Sequence, residues 1–429
     1  MIPTVDVVAA KLREICVLYP DLCRTSRVGY SRLGEPLDML SIGDGREHAL
    51  VIGGPHANEP VGFLTVLRLA RLLCEGERHG FTWHLIGCVD PDGARLNEGW
   101  YAGPFTVAHH HRHFYRPALA DQPEWTFPVS TGAKHFDRPL PETRALMRVI
   151  DDLRPAFLFS LHNADFGGAY FQISRRLPGL ADELATLAVS HGVPLDLAPI
   201  DTIGYEVAGP GVTLLPSADW TDFADSCDGK PTYGASSWQY ADRHGTFTLI
   251  AEVPLWTSPG CDDRAPAGVS ERRLLEEATV RLRHEIAPIA RLREATGPAF
   301  TSPFHAAVDD TLDVCDRLIA AMKRAARQAT ATRSVSRAEA GGIRDTVRRL
   351  SLRTAGMFVR LLDEEPSAEP ALHMEARAVL HRLSAAAQTE VVTPDDPLTR
   401  IVEIQTRAAL ITATHLRRAV RRAARPIRS

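Results

Sequence analysis

The stretch Gly53-Gly-Pro-His-Ala-Asn-Glu-Pro60 follows the short apolar run His48-Ala-Leu-Val-Ile52. A continuous apolar run of this length is typical of a strand that is buried on both faces of a sheet. Residues 60–74 are then predicted to form a helix. His56 and Glu59 are therefore expected in the first turn of this helix, where side chains three residues apart can face the same point.

Three further apolar runs alternate with predicted helices. The runs cover residues 82–89, 156–161 and 247–251, and helices are predicted over residues 140–152 and about 179–191. Alternating strands and helices indicate an α/β protein, because a buried sheet needs helices on its faces. We therefore predict a mixed, largely parallel sheet with helices on both faces.

The character of the sequence changes beyond residue 265. Strand-like runs stop, Ala, Arg, Leu and Glu dominate, and apolar residues recur at helical spacing. Helices are predicted over 270–295, 308–329, 340–362, 369–387 and 397–424. This pattern predicts an all-α helical bundle that follows the α/β part.

Of the three runs predicted as strands, the second is followed directly by His162 and the third by Glu252. Ligands of open α/β sheets bind outside the carboxyl ends of the strands. Both side chains are therefore expected at the same edge of the sheet as His56 and Glu59. A carboxylate at the mouth of a buried strand is costly unless it has a partner or a task.

We predict that His56, Glu59 and His162 bind one zinc ion, since imidazole and carboxylate suit zinc and three protein ligands leave a position for water. Glu252 is predicted to act as the general base. Each residue alone has an ordinary alternative. The His-x-x-Glu spacing occurs by chance in many proteins, His162 could be a core histidine, and Glu252 could pair with an arginine. The prediction depends on their convergence at separate strand ends.

This set of residues resembles the zinc metallocarboxypeptidase family, which has the carboxypeptidase A-like fold. That family combines a His-x-x-Glu pair after a strand with a distant His and a Glu on a late strand. The resemblance implies a catalytic domain over residues 1–298 that hydrolyses an amide bond. Residues 305–429 match no part of the family, and we predict a helical bundle of unknown role there.

The stretch Asp90-Pro-Asp-Gly-Ala-Arg95 is similar to the Asn-Pro-Asp-Gly stretch and following Arg of the family. The resemblance implies that Arg95 polarises the scissile carbonyl and stabilises the developing oxyanion, where a fixed cation is needed. The alternative is a surface turn with a solvated arginine, because Pro-Asp-Gly is itself a strong turn signal.

Two further stretches are similar to substrate-binding motifs of the family. His111-Arg-His-Phe114 stands where the family has Asn-Arg-Asn-Phe, which implies that Arg112 grips a substrate carboxylate. His111 replaces the usual Asn, and this departure weakens the inference of an ordinary C-terminal carboxylate. Tyr233 matches a tyrosine of a mobile loop that hydrogen-bonds the substrate, and a packing role is its alternative.

Composition limits the partners and the compartment. A net charge of −4 gives no excess of positive charge for binding nucleic acid, and no apolar run is long enough to span a bilayer. Seven cysteines without a Cys-x-x-Cys pair, and an N-terminus that does not read as a signal peptide, predict a cytoplasmic protein.

Two other functions stay open at this point. Deacylases of the aspartoacylase and succinylglutamate desuccinylase type share the ligand pattern and the late Glu, and they cleave N-acyl amino acids. A protein of another class would be an inactive scaffold that works through its helical region, whose basic end at residues 416–428 could contact an acidic partner. The sequence also leaves open a homo-oligomer or a protein partner bound through residues 305–429.

Overall fold

The computed structural model describes residues 1–131, 134–216, 233–296, 302–330, 332–365 and 369–423. Its helices are α1 (Val5–Leu18), α2 (Val61–Glu75), α3 (Pro91–Arg95), α4 (Val107–Arg112), α5 (Pro141–Leu153), α6 (Leu180–Ser190), α7 (Ser237–Asp242), α8 (Glu271–Ala295), α9 (Pro303–Gln328), α10 (Arg337–Asp363), α11 (Pro370–Glu390) and α12 (Pro397–Ala423). None of these helices is long and apolar enough to cross a membrane.

Its strands are β1 (Cys23–Tyr30), β2 (Pro36–Ile42), β3 (Glu47–Ile52), β4 (Phe81–Ile86), β5 (Val129–Thr131), β6 (Lys134–Phe136), β7 (Phe157–His162), β8 (Phe166–Gly167), β9 (Tyr170–Ile173), β10 (Val207–Gly209), β11 (Val212–Leu214), β12 (Phe247–Glu252), β13 (Trp256–Thr257), β14 (Pro266–Ser270) and β15 (Ser334–Ser336). The main sheet has the order β1-β2-β4-β3-β7-β12-β9-β11-β10. The four central strands, β4-β3-β7-β12, are parallel, while β2 and β9 join them antiparallel. The predicted mixed sheet is confirmed, and its parallel centre consists of the four predicted apolar runs.

Side chains of the central strands alternate between two layers. Along β3, Ala49 and Val51 belong to the larger core cluster, whereas Leu50 and Ile52 belong to a second cluster. Helices α1, α2, α6 and α12 contribute to the larger cluster, and α5 and α7 contribute to the second. Helices therefore cover both faces of the sheet, as the continuous apolar runs predicted.

The predicted C-terminal helical region is present as α8 to α12. Helices α8, α9 and α10 share a core cluster of their own. Helix α12, in contrast, packs against α2 and α6. Its residues Ile401, Ile404 and Ala408 belong to the same cluster as the sheet. The division into residues 1–298 and 305–429 stays a prediction, and the larger core cluster extends across it. The last part of the basic C-terminal end, residues 424–428, lies outside the described residues.

Candidate metal centre

His56 and Glu59 lie in a tight turn between β3 and α2. The backbone N–H of Glu59 donates to the carbonyl of His56 over 3.1 Å, and α2 begins only at Val61. The expectation that the pair occupies the first helical turn is therefore wrong, because Pro55 and Pro60 flank it and confine the stretch to a turn before the helix. The turn still directs both side chains inward, since both are buried.

The other two predicted residues are the last residues of adjacent parallel strands. His162 ends β7 and Glu252 ends β12, and the two residues are register partners in the sheet. Parallel neighbours in register bring their terminal side chains to the same edge. The Nδ1 atom of His162 lies 3.9 Å from Oε1 of Glu252.

One ligand atom from each of His56, Glu59 and His162 lies within 4.8 Å of the other two, and all three residues are buried. His162 Nδ1 is 2.8 Å from Glu59 Oε2. His56 Nδ1 is buried and has no hydrogen-bond partner among the described residues. A buried, unpartnered ring nitrogen beside a carboxylate and a second imidazole is the donor set that a divalent metal satisfies. The three residues therefore fit a zinc ion.

A neighbour beyond the cluster orients His162. With Nδ1 turned to the cluster, its Nε2–H donates to the hydroxyl of Ser160 over 2.9 Å. Such a bond on the far nitrogen fixes the tautomer and the ring orientation of a metal-binding histidine. Ser160 and His162 are two residues apart on β7, so both side chains lie on the same face of the strand.

The two histidines differ in charge because their surroundings differ. Burial, assisted by the charges of Arg116 and His162, keeps the pKa of His56 well below its usual value. His56 is therefore neutral and ready to act as a ligand. Burial alone would also lower the pKa of His162, but the hydrogen bond and charge of Glu59 raise it to about 9. A metal ion bound at Nδ1 would therefore displace a proton from His162.

Glu252 lies where a proton acceptor is needed. Burial and the charge of Glu59 raise its pKa to about 8, against the opposite effect of His162. Its side chain is 16% exposed, so a water molecule can reach it. A divalent cation bound beside it would lower this pKa and favour the carboxylate.

The structure also brings arginines to the cluster that the sequence did not single out. Arg116 donates to Glu59 Oε1 over 3.2 Å and to Asn58 Oδ1 over 3.1 Å. Burial and the charges of Arg353 and Arg349 act together to lower the pKa of Arg116, although Glu59 opposes them. Arg116 follows the His111-Arg-His-Phe114 stretch by two residues, so its position in the chain was the available signal.

Two of these arginines come from the C-terminal helical region. On α10, Arg353 donates to Asp165 over 2.9 Å, and Arg349 makes a bidentate ion pair with Asp201 at 3.0 and 3.1 Å. The charge of Arg349 acts on Glu252. No local motif could reveal these residues, because Arg353 lies 188 residues from Asp165 and Arg349 lies 148 residues from Asp201 along the chain.

Arg95, the predicted oxyanion-stabilising residue, forms ion pairs with two acidic residues that do not belong to the metal cluster. Its guanidinium donates to Glu35 over 2.8 and 3.0 Å and to Asp6 over 2.8 and 3.1 Å. These bonds raise the pKa of Arg95 and keep it charged. The role at the oxyanion that the resemblance implies for Arg95 stays a prediction, and it would require these ion pairs to open.

The predicted carboxylate-binding pair also has other partners. Arg112 pairs with Asp363 of α10 at 2.8 Å. His111 is fully buried, with Nδ1 on the carbonyl of Val107 at 2.9 Å and Nε2 at 3.8 Å from Asp165. The assignment of His111 and Arg112 to the substrate stays a prediction.

Tyr233 is connected to the metal cluster by aromatic contacts, through Trp125 to His56. Its ring meets Trp125 edge-on at 6.1 Å between centroids, and Trp125 stacks on His56 at the same separation. Tyr233 is buried. Residues 217–232, which precede it, lie outside the described residues, so its predicted membership of a mobile loop stays a prediction.

Fold and site together define an α/β protein with a His-Glu-His cluster suited to a metal at the carboxyl edge of its sheet. Residues 8–166 match the zinc carboxypeptidase family. That range includes His56, Glu59 and His162 and ends before Glu252. No curated protein matches the chain.

Solved structures that this chain resembles include bovine thrombin-activatable fibrinolysis inhibitor in complex with tick carboxypeptidase inhibitor, at 14% identity and a TM-score of 0.37, with 58% of this chain and 86% of that chain covered. Carboxypeptidase A from Helicoverpa armigera is 16% identical, with a TM-score of 0.37 and 59% and 65% covered. The murein-tripeptide amidase from Escherichia coli O157 is 21% identical, with a TM-score of 0.28 and 54% and 82% covered. Similarity at this level carries no information on activity.

Proposed function

We propose that this protein is a zinc-dependent hydrolase that cleaves an amide bond, as a metallocarboxypeptidase acting on a peptide or peptide-like substrate. The observation that carries the proposal is the convergence of His56, Glu59 and His162 within 4.8 Å, with Glu252 beside them. The match of residues 8–166 to the zinc carboxypeptidase family supports the same chemistry.

Zinc held by His56, Glu59 and His162 would supply Lewis acidity for the carbonyl and lower the pKa of water toward ~7. Glu252 takes a proton from the attacking water and then gives it to the leaving amine nitrogen. Its carboxylate must start without a proton, and a nearby cation favours that state. Partial burial keeps its pKa high enough to hold the proton between the two steps.

Two arginines are candidates for stabilising negative charge on the carbonyl oxygen. The family resemblance points to Arg95, which would have to leave Asp6 and Glu35. Arg116 already donates to Glu59 beside the proposed zinc site. Unlike Arg95, it therefore need not give up ion pairs with Asp6 and Glu35 to act there. We therefore favour Arg116 for this role, and we keep Arg112, His111 and Tyr233 as candidate substrate contacts.

The surroundings of His111 and Arg112 favour a second candidate function. Arg112 pairs with Asp363 and His111 is enclosed, whereas the family grips a terminal carboxylate at the matching positions. The departure from the carboxypeptidase motif at His111 therefore keeps an N-acyl amino acid deacylase, which shares the ligand pattern and the late Glu, as the second candidate. We further propose a cytoplasmic protein without nucleic-acid or membrane partners, with any oligomer or protein partner bound through residues 305–429.

Metal analysis of the purified full chain, followed by a substrate panel, tests these proposals. The panel contains peptides with free and blocked carboxyl ends, N-acyl amino acids and a murein tripeptide. Cleavage that requires the free carboxyl end supports the carboxypeptidase, and preference for N-acyl amino acids supports the deacylase. A folded chain that binds no zinc and cleaves nothing would overturn both and favour the inactive scaffold.

A further inference from the structure

Gln405 is a polar residue in the apolar stripe of α12. Its neighbours on that stripe, Ile401, Ile404 and Ala408, pack into the core beneath the sheet. Gln405 is itself fully buried. Burying an amide is costly unless its donor and its acceptor are both satisfied. A Leu or Met would fill the same space without that cost, so the amide needs an explanation.

Both ends of the amide are used. Nε2 of Gln405 donates to the backbone carbonyl of His162 over 2.6 Å, and Oε1 accepts from the hydroxyl of Thr65 over 2.6 Å. The orientation of the amide is fixed, because a carbonyl can only accept and must therefore face the NH2 group. The hydroxyl of Thr65 must then donate to Gln405, and its contact with the carbonyl of Val61 is longer, at 3.5 Å.

These two bonds connect β7, which carries His162, to α2, which follows the turn that holds His56 and Glu59. His162 is the last residue of β7, and Thr65 lies on α2, which begins two residues after Glu59. Pairing of β7 with β3 ends at Ser160, so β3 gives the backbone of His162 no register partner. Gln405 therefore supports β7 beyond Ser160, where its pairing with β3 ends.

We propose that Gln405 is a positioning residue of the metal centre, which sets the placement of His162 relative to Glu59 from the C-terminal helix α12. Thr65 and Gln405 act as one unit that holds the end of β7 against α2. The proposal rests on the proposed zinc site. It gives the helical region a function at that site without contact with the substrate.

The consequence is a change in metal affinity. A tetrahedral site tolerates little displacement of a ligand, and loss of a group that orients a ligand lowers metal affinity by about 10–100-fold. A purely structural Gln405 would alter the stability of the metal-free chain and leave its zinc affinity unchanged.

The test compares Gln405→Met with a matched control on the same helix. Met has nearly the length and helix propensity of Gln and cannot bond to His162 or Thr65. The control is Thr412→Val, because Thr412 is also fully buried on α12 and its hydroxyl has no partner among the described residues. Zinc affinity of the metal-free full chains is measured by competition with a chromogenic chelator, and unfolding by urea is measured in parallel.

We expect Gln405→Met to bind zinc about 10–100-fold more weakly than the wild-type chain, and Thr412→Val to bind zinc as the wild type does. The visible spectrum of the cobalt-substituted protein should change in Gln405→Met and not in Thr412→Val. Wild-type zinc affinity in a folded Gln405→Met would overturn the proposal.

If Gln405→Met does not fold, Thr65→Val decides the question. This near-isosteric change removes the hydroxyl that ties Oε1 of Gln405 to α2, so weaker zinc binding supports the proposal and wild-type affinity overturns it. Failure of the zinc site itself gives a different result, because the wild-type chain would then bind no zinc. The two failures are therefore distinguishable.

Discussion

Replacing Glu252 by Gln removes the proposed proton acceptor and keeps the shape of the side chain. Glu252 lies 3.9 Å from His162 Nδ1 and outside the group of three ligand residues. The variant should therefore still bind one zinc ion per chain. Gln cannot take a proton from water at neutral pH, so the chemical step should lose its general base.

The size of the loss follows from what remains at the site. General-base catalysis contributes about 10²–10⁴-fold, which corresponds to about 2.7–5.4 kcal/mol in the barrier at ~1.36 kcal/mol per factor of ten. Glu59 is one of the three proposed zinc ligands. Glu124, another buried carboxylate whose charge acts on His162, accepts hydrogen bonds from the backbone and hydroxyl of Ser237. Glu59 is a proposed ligand and Glu124 is held through Oε1 by Ser237, so we expect a loss within this range.

Steady-state hydrolysis of the best substrate of the panel, with zinc content measured on the same preparations, provides the assay. His162→Ala is the matched comparison, because it should lose both zinc and activity. If Glu252→Gln cleaves the substrate at the wild-type rate, Glu252 is not the base. If it retains no zinc, Glu252 belongs to the ligand set and the separation of roles is wrong.

Three further predictions concern the zinc site and the stability of the fold. Zinc affinity should rise by about tenfold per pH unit below the folded pKa of His162 near 9, because zinc displaces its proton; chelator competition at several pH values measures this, and a flat profile would contradict it. Arg116→Met should lower kcat by about 10²–10³-fold, and Arg95→Met should change it little. The reverse order in steady-state kinetics would favour Arg95 at the oxyanion. Residues 1–298 alone should not fold, since α12 buries Ile401, Ile404 and Leu416, worth about 1.5–3 kcal/mol each, against a total stability of ~5–15 kcal/mol. A cooperative urea transition of that fragment would refute this.

The strand ends could be predicted because burial on both faces leaves a direct trace in the sequence. The runs that end at Ile52, Leu161 and Ala251 are continuous and apolar, and polar residues follow each of them within four positions or at once. Parallel strands share one carboxyl edge, so the convergence of the four side chains could be predicted from the sequence. The turn that holds His56 and Glu59 was harder, because a helix and a tight turn both tolerate a spacing of three residues.

The partners of these residues could not be predicted in the same way. Arg116 carries no motif of its own, and Arg353 lies 188 residues from its partner Asp165. An amphipathic stripe predicts that a helix packs, but it does not tell which surface it packs on. Arg95 shows the opposite case, because a stretch similar to a family motif lies beside two acidic residues, Asp6 and Glu35, that bind its guanidinium.

The change of composition beyond residue 265 marks a change of secondary structure and does not mark the edge of the core. Helices α10 and α12 both reach the short segment that contains His162 and Asp165. Arg353 of α10 binds Asp165, and Gln405 of α12 binds the carbonyl of His162. A ligand at the end of a strand has fewer backbone bonds to hold it than one in the middle of a strand. Support from two helices at this segment therefore lets the C-terminal region determine the geometry of the proposed zinc site, although no residue of that region belongs to the predicted ligand set.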